Sequence, residues 1–240
     1  MTHASGVRAI ARKRGIGHTG SMSGRPPSAG DFAHRQREQA AGFDAVGARY
    51  DQLFPHKDGQ VRAGELLLDR LPTGARVLDV GCGTGLPTAR QLVDGGCAVA
   101  GIDISPVMLE IARRNVPEAT FEQRDAVDIE ASGNPYDAVV AFFSLLMLPR
   151  REITRVLTRF REVLVPAGWV ALSMVEGDID DVAVPFLGVP VRVTGWPREH
   201  LRRVVTAAGF TIEIEDVRTY RSPSADVAPE TQLFLIARRS

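Results

Sequence analysis

Residues 76–85 constrain this chain more than any other stretch. Arg76–Val80 is a short, mostly apolar run, and glycines follow it at 81, 83 and 85. A run of that length between turn signals reads as a strand buried on both faces. Glycine at alternate positions lets the backbone turn tightly and approach a ligand with no Cβ in the way. The segment about Pro87–Asp94 carries a helical pattern. Its N-terminus offers unpaired N–H groups to an anionic group such as a carboxylate. Strand, glycine turn and helix in that order point to an α/β fold with its ligand at the strand tip.

The rest of the chain keeps that alternation. Ala98–Ile102 is a second apolar run, followed by Ser105 and Pro106, a cap and first-turn pair that signals a helix start. Met108, Leu109, Ile111 and Ala112 supply the buried face of that helix. Thr120–Gln123 is a short strand and Asp137–Phe143 a strongly apolar one. Pro149 opens a helix to about Leu164, and Gly168–Val175 is the next strand. A helix over Pro197–Ala208 is closed by Gly209, and Thr211–Tyr220 and Gln232–Arg238 are the last two strands. The pattern predicts an α/β, doubly wound, seven-stranded, mostly parallel sheet with helices on both faces.

Residues 31–240 read as one domain. Asp31 is placed to cap a helix running to about Leu53, with Phe43, Val46, Tyr50 and Phe54 on one face. A second helix, about Val61–Leu71, ends at Pro72, so 31–72 form an N-terminal helical cap. Residues 176–195 form a long connection, whose length argues for a substrate-side lid or wall. Residues 1–30 are rich in Gly, Ser, Arg and Pro and predict a disordered basic tail. That tail resembles a transit peptide in composition. A basic arm for an anionic partner is another reading, but the one preferred is a solvated extension, with Met22 as a rival start.

Seven of the 29 basic and two of the 29 acidic residues lie in 1–38, so 39–240 carry 22 basic against 27 acidic. An acidic body counts against nucleic acid as a partner. No apolar run approaches the roughly 18 residues of a membrane span. Two cysteines, Cys82 and Cys97, lack metal-ligand spacing, so neither a metal nor a disulfide is expected. A reducing, cytoplasmic setting follows. Arginine far outnumbers lysine, whose two examples are Lys13 and Lys57, as a GC-rich bacterial genome would produce. Monomer and homodimer both fit.

Asp103 closes the second apolar run about 20 residues past the glycine turn, where dinucleotide folds bind a ribose. A nicotinamide or flavin site would read G-x-G-x-x-G, but Leu86 stands where the third glycine would fall. Asp79, two residues before Gly81, also opposes a pyrophosphate and suits a cation.

On Leu78-Asp79-Val80-Gly81-Cys82-Gly83-Thr84-Gly85, residues 43–240 resemble the class I S-adenosylmethionine-dependent methyltransferases, small-molecule type. The resemblance implies a Rossmann-like fold and S-adenosylmethionine as cofactor. It places the methionine end on Asp79 and the backbone of Gly81, Cys82, Gly83 and Gly85. Asp103 would hold the ribose hydroxyls, with Ile104 and Met108 in the same cofactor site. Asp125 would accept the adenine amino group and the Ala126 N–H meet the ring edge. Phe142 and Ser144 would lie near the methyl group, and Tyr50 would close over the methionine end.

Related DNA amino-methyltransferases carry an Asn/Asp-Pro-Pro-aromatic motif after the fourth strand; here that place reads Ala141-Phe142-Phe143-Ser144. Leu145, Leu146, Met147, Leu148 and the apolar residues of 176–195 suggest a small, partly hydrophobic acceptor. The sequence leaves O, N and C acceptors open. His56, Glu176 and Asp178 are the candidates for a catalytic base. Two other functions are open at this point: a nucleotide-dependent oxidoreductase, and a cofactor-binding partner protein without turnover.

Overall fold

Strand β1 (Arg76–Val80) is buried along nearly its whole length, as its apolar run requires. In the computed structural model, which describes residues 29–53, 57–131, 133–186, 189–220 and 229–240, it is an interior strand, third in a seven-stranded sheet. The other strands are β2 (Ala98–Asp103), β3 (Thr120–Gln123), β4 (Tyr136–Phe142), β5 (Leu164–Val175), β8 (Phe210–Tyr220) and β9 (Glu230–Arg239). A separate hairpin is made of β6 (Ile179–Phe186) and β7 (Val189–Gly195). The sheet order is β3-β2-β1-β4-β5-β9-β8, with β9 antiparallel to both neighbours. The order reverses between β1 and β4, the switch point at which such sheets bind ligands.

Register sets the site. Asp79 pairs across from Gly101 and Val140, Asp103 from Gln123, and Phe142 from Ser173. The tips of β1, β2, β3 and β4 therefore come together at one edge.

Period-two alternation sends successive side chains to opposite faces. Val77, Val99, Val140 and Phe234 meet α3 (Asp58–Leu68) and α4 (Thr88–Asp94) through Leu67 and Leu92. Leu78, Val139, Leu172 and Leu235 meet α6 (Arg150–Val163) and α7 (Arg198–Ala207) through Phe160, Leu157 and Leu201. Each fully buried large side chain contributes roughly 1.5–3 kcal/mol. Helix α5 (Pro106–Asn115) starts as its cap sequence predicts: Ser105 Oγ accepts the Met108 N–H at 3.1 Å.

Several expected bounds shift, each for a local reason. The N-terminal helix is not continuous to Leu53. Helix α1 (Ala29–Val46) breaks at Gly47, whose φ of +47° leaves the helical region, and a turn leads into a short α2 (Tyr50–Leu53). Asp31 lies inside the first turn of α1 instead of capping it. Helix α3 starts at Asp58 and its last turn tightens before Pro72, whose ring disfavours helix in the residue ahead of it. Strand β5 begins at Leu164, four residues early, and a register shift absorbs the extra length. The expected connection over 176–195 is largely the β6–β7 hairpin, in which Val182, Val184, Val191 and Val193 alternate with polar or exposed residues. The tail to residue 28, Phe54 and His56 lie outside the described residues.

Ser105 also donates to Asp44 of α1 at 2.5 Å and is fully buried. Ser105→Ala should lower stability by about 1–2 kcal/mol, the cost of a lost cap, read from urea unfolding.

Candidate functional site

The glycine turn is shaped by its neighbours. Gly81 has φ +71°, and a Cβ there would sit 2.3 Å from the Ser144 Cβ. Ser144 Oγ donates to the Val80 carbonyl at 2.6 Å, which fixes that approach. Gly83, at φ +53°, faces open space on the cavity side. Gly85 packs instead toward Val116 and Ala112, and Cys82 is buried beside Gly101. Burial pushes the Cys82 thiol well up, so it stays a neutral filler.

Three carboxylates stand at the strand tips. Asp79 is buried, and its Oδ2 has no hydrogen-bond partner among the described residues. Burial first, and the neighbouring Asp103 charge second, push it up to about 7. Asp103 accepts the Gly83 N–H on Oδ2 and the Ser105 N–H on Oδ1, both at 2.9 Å. Burial raises it, against the pull of those N–H groups. Asp125 accepts the Val127 N–H at 3.1 Å and the Gln36 amide at 2.6 Å. Burial raises it also.

Above them lies α1 with the α2 turn. Asp44 accepts from Ser105 and from the Val107 N–H, which ties α1 to the start of α5. The Phe43 and Tyr50 rings stand 6.4 Å apart and both line the cavity. Lys57 pairs with Asp51, donates to the Leu86 carbonyl at 3.0 Å and lies 5.6 Å from the Tyr50 ring centre. The α1–α2 segment, a lid over this cavity distinct from the 176–195 hairpin, is thus fastened to the loop that follows the glycines. Burial, then the Asp51 and Asp103 charges, push the Tyr50 hydroxyl up to about 12, so it keeps its proton.

The opposite end is apolar. Phe143 holds a left-handed φ of 54°, packs edge-on against Phe234, and donates its N–H to Ser173 Oγ at 2.9 Å. Leu145, Met147 and Leu148 continue that wall from the turn after β4.

One cavity therefore gathers Tyr50, Gly81, Gly83, Asp103, Ile104, Met108, Asp125, Ala126, Phe142 and Ser144. Asp79, Cys82 and Gly85 sit behind it, not among its lining. Glu176 and Asp178 are placed elsewhere. Glu176 takes two hydrogen bonds from the Arg198 guanidinium, which holds it below the usual range, and Asp178 is exposed against Arg150. Gln36 and Arg124 line the cavity without having been singled out. The signal for Gln36 was its place seven residues, two helical turns, before Phe43 on one face.

A model described as a methyltransferase domain matches residues 77–168. The methyltransferase GfsG of Streptomyces halstedii is 31% identical over 72% of this chain and 66% of its own length. Demethylmenaquinone methyltransferase of Corynebacterium kroppenstedtii is 30% identical over 73% of this chain and 87% of its own. Against GfsG and three further relatives the chain spans 48% to 66% of their length. Among solved structures, the 1,6-didemethyltoxoflavin-N1-methyltransferase of Burkholderia thailandensis aligns with a TM-score of 0.66. It is 20% identical over 90% of this chain and 93% of that one, so the likeness is one of fold.

The shifted Asp79 has a stability consequence. Between its ordinary 3.8 and about 7 the folded chain holds a proton that the unfolded chain lacks, so this group's contribution is lost as pH rises through that window. Asp79→Asn should match the parent near pH 4 and melt higher above about pH 7, in thermal unfolding across that range.

Proposed function

This chain belongs to the class I S-adenosylmethionine-dependent methyltransferases, and from that premise we propose that it transfers a methyl group to a small, partly hydrophobic metabolite. The observation that carries the proposal is a single cavity with carboxylates at one end and apolar walls at the other. The unpartnered Asp79 Oδ2 and the open face of Gly83 suit a ligand with a cationic methionine end. A pyrophosphate would meet the same buried carboxylate with its own negative charge.

In this reading the methionine end lies on the open backbone face of Gly81 and Gly83, with the Asp79 charge behind it. Asp103 turns its spare lone pairs to the ribose, and Ile104 and Met108 flank the adenine. Asp125 and the Ala126 N–H read the base edge. When bound, S-adenosylmethionine supplies an electrophilic methyl on a sulfonium.

Phe43, Tyr50, Phe143 and Met147 exclude water from the place where an acceptor would meet it. Tyr50 is protonated at neutral pH and serves as a donor, not a base. The titratable groups lining the cavity among the described residues are Tyr50, Asp103, Arg124 and Asp125. Arg124 is engaged by the Glu122 carboxylate. Glu176 and Asp178 point their charges into arginines. Orientation and desolvation are therefore the means these residues have to speed the transfer.

The acceptor end takes its character from Phe143, Leu145, Met147 and Leu148. Such a wall favours a flat or branched apolar body, with the nucleophilic atom directed at the polar end. Relatives named for O- and N-methylation support a family scaffold that is compatible with either acceptor atom.

Calorimetry should register S-adenosylmethionine and not NADH, and a panel of small, partly hydrophobic acceptors should yield S-adenosylhomocysteine. Binding without turnover on any acceptor would favour a partner protein instead. Asp103→Ala should weaken cofactor binding by about 1–3 kcal/mol, the cost of a charged hydrogen bond. Because a cation favours ionised Asp79, affinity should rise with pH up to about 7 and then level off in the parent, but not in Asp79→Asn.

A further inference from the structure

Gln36 stands on α1, outside every motif of the sequence, yet it lines the cavity beside Asp125 and Ala126. Its amide is held at both ends. Nε2 donates to Asp125 Oδ2 at 2.6 Å, and Oε1 accepts from Arg35 Nη1 at 2.7 Å. Turned over, it would set donor against donor at Arg35 and acceptor against acceptor at Asp125, so the network fixes its orientation.

The support continues behind it. Arg35 is buried, and its Nε donates to Asp181 Oδ1 at 2.7 Å. Asp181 lies on β6, is paired also with Arg192 at 3.0 Å, and donates its N–H to Thr194 Oγ1 at 3.0 Å. A line of hydrogen bonds thus runs from the hairpin, through α1, to the floor of the cavity.

At that floor the Asp125 carboxylate is gripped on both oxygens, by Val127 N–H on one and Gln36 on the other. Each oxygen keeps a lone pair. Burial and the Asp128 charge favour the neutral acid, while Gln36, the Val127 N–H and Arg35 favour the anion. The neighbouring Arg124 is spoken for by Glu122.

We propose that Gln36 is a positioning residue for base recognition: it holds the Asp125 carboxylate turned toward the exocyclic amino group of a purine, so that the cavity selects an amino over an oxo purine. The inference rests on the methyltransferase reading above. An exocyclic amino group donates to that carboxylate. An oxo group presents an acceptor to it, and its ring N–H confronts the Ala126 N–H.

The test is calorimetric titration of the full chain, parent and Gln36→Leu, with S-adenosylhomocysteine and S-inosylhomocysteine. The parent should prefer the adenine ligand by about tenfold or more, the scale of one charged hydrogen bond. Gln36→Leu should shrink that preference severalfold by losing adenine affinity, and Arg35→Met should shrink it less. Gln36→Glu, which sets a second carboxylate against Asp125, should lose the preference too and serves if Gln36→Leu does not fold. A folded variant that keeps the parental preference overturns the proposal, even if both affinities fall together, because that is the mark of a damaged lid. A parent that binds both ligands alike overturns it as well. A parent that binds neither overturns the cofactor reading beneath it.

Discussion

A buried carboxylate oxygen with no hydrogen-bond partner is a costly object, and among the described residues this fold keeps one at Asp79. Removing such a charge from water costs several kcal/mol unless something compensates it. Asp79 answers in the way buried acids do, by holding its proton up to about 7. Its position is not of its own making. The β1 register places it between Gly101 and Val140, and the switch in strand order opens the space above it. The sheet is sealed by apolar side chains on both faces, which keeps water from the Asp79 carboxylate. With Asp103 raising it further, the sign of a fitting ligand follows: positive charge near Asp79 relieves what the fold has built up.

The roof of the cavity is held differently from its floor. Apolar contacts fasten α1 through Val46 and Phe32, but its other links are polar: Asp44 to Ser105, Gln36 to Asp125, Arg35 to Asp181 and Gln39 to Arg192. These bonds, most of them to a charged group, are worth about 1–3 kcal/mol each net, since water replaces them when they open. The strands beneath would have to expose Val77, Val139, Val140 and Leu172 to come apart. Local opening of the roof is therefore the lower-energy route to the cavity. The Gly47 break turns the chain from α1 into α2, whose Tyr50 lines the cavity.

What the sequence disclosed was local. The strand–glycine–helix pattern, the Ser105–Pro106 start and the Asp103 spacing depend on neighbours within a few residues, and they locate the sheet and the polar end of the cavity. What it hid depended on distance. Nothing near Gln36 tells that Asp125, 89 positions away, will accept its amide. Nothing near Glu176 tells that Arg198 will engage both its oxygens, though acid-to-arginine spacing across a hairpin is a visible clue in retrospect. The alternation of valines over 182–193 was legible as strand; the length of the segment drew attention instead to a loop.

The apolar end raises the last question of cause. Phe143 sits where glycine would be relaxed, and a left-handed residue with a large side chain costs on the order of 1–2 kcal/mol. The chain holds it there because three contacts over-determine it. The ring meets Phe234 edge-on, the N–H reaches Ser173, and the next residue must tuck its hydroxyl under Val80 to make room for Gly81. The same kink that lets the glycine turn close thus swings an aromatic ring into the cavity wall. Glycine turn and apolar wall are in this way one backbone event. A substitution that relaxed Phe143 would move Ser144 and the glycine turn with it. Selectivity for the proposed acceptor therefore has freer room to vary in the side chains of Leu145, Met147 and Leu148, none of which a Cβ at Gly81 would meet.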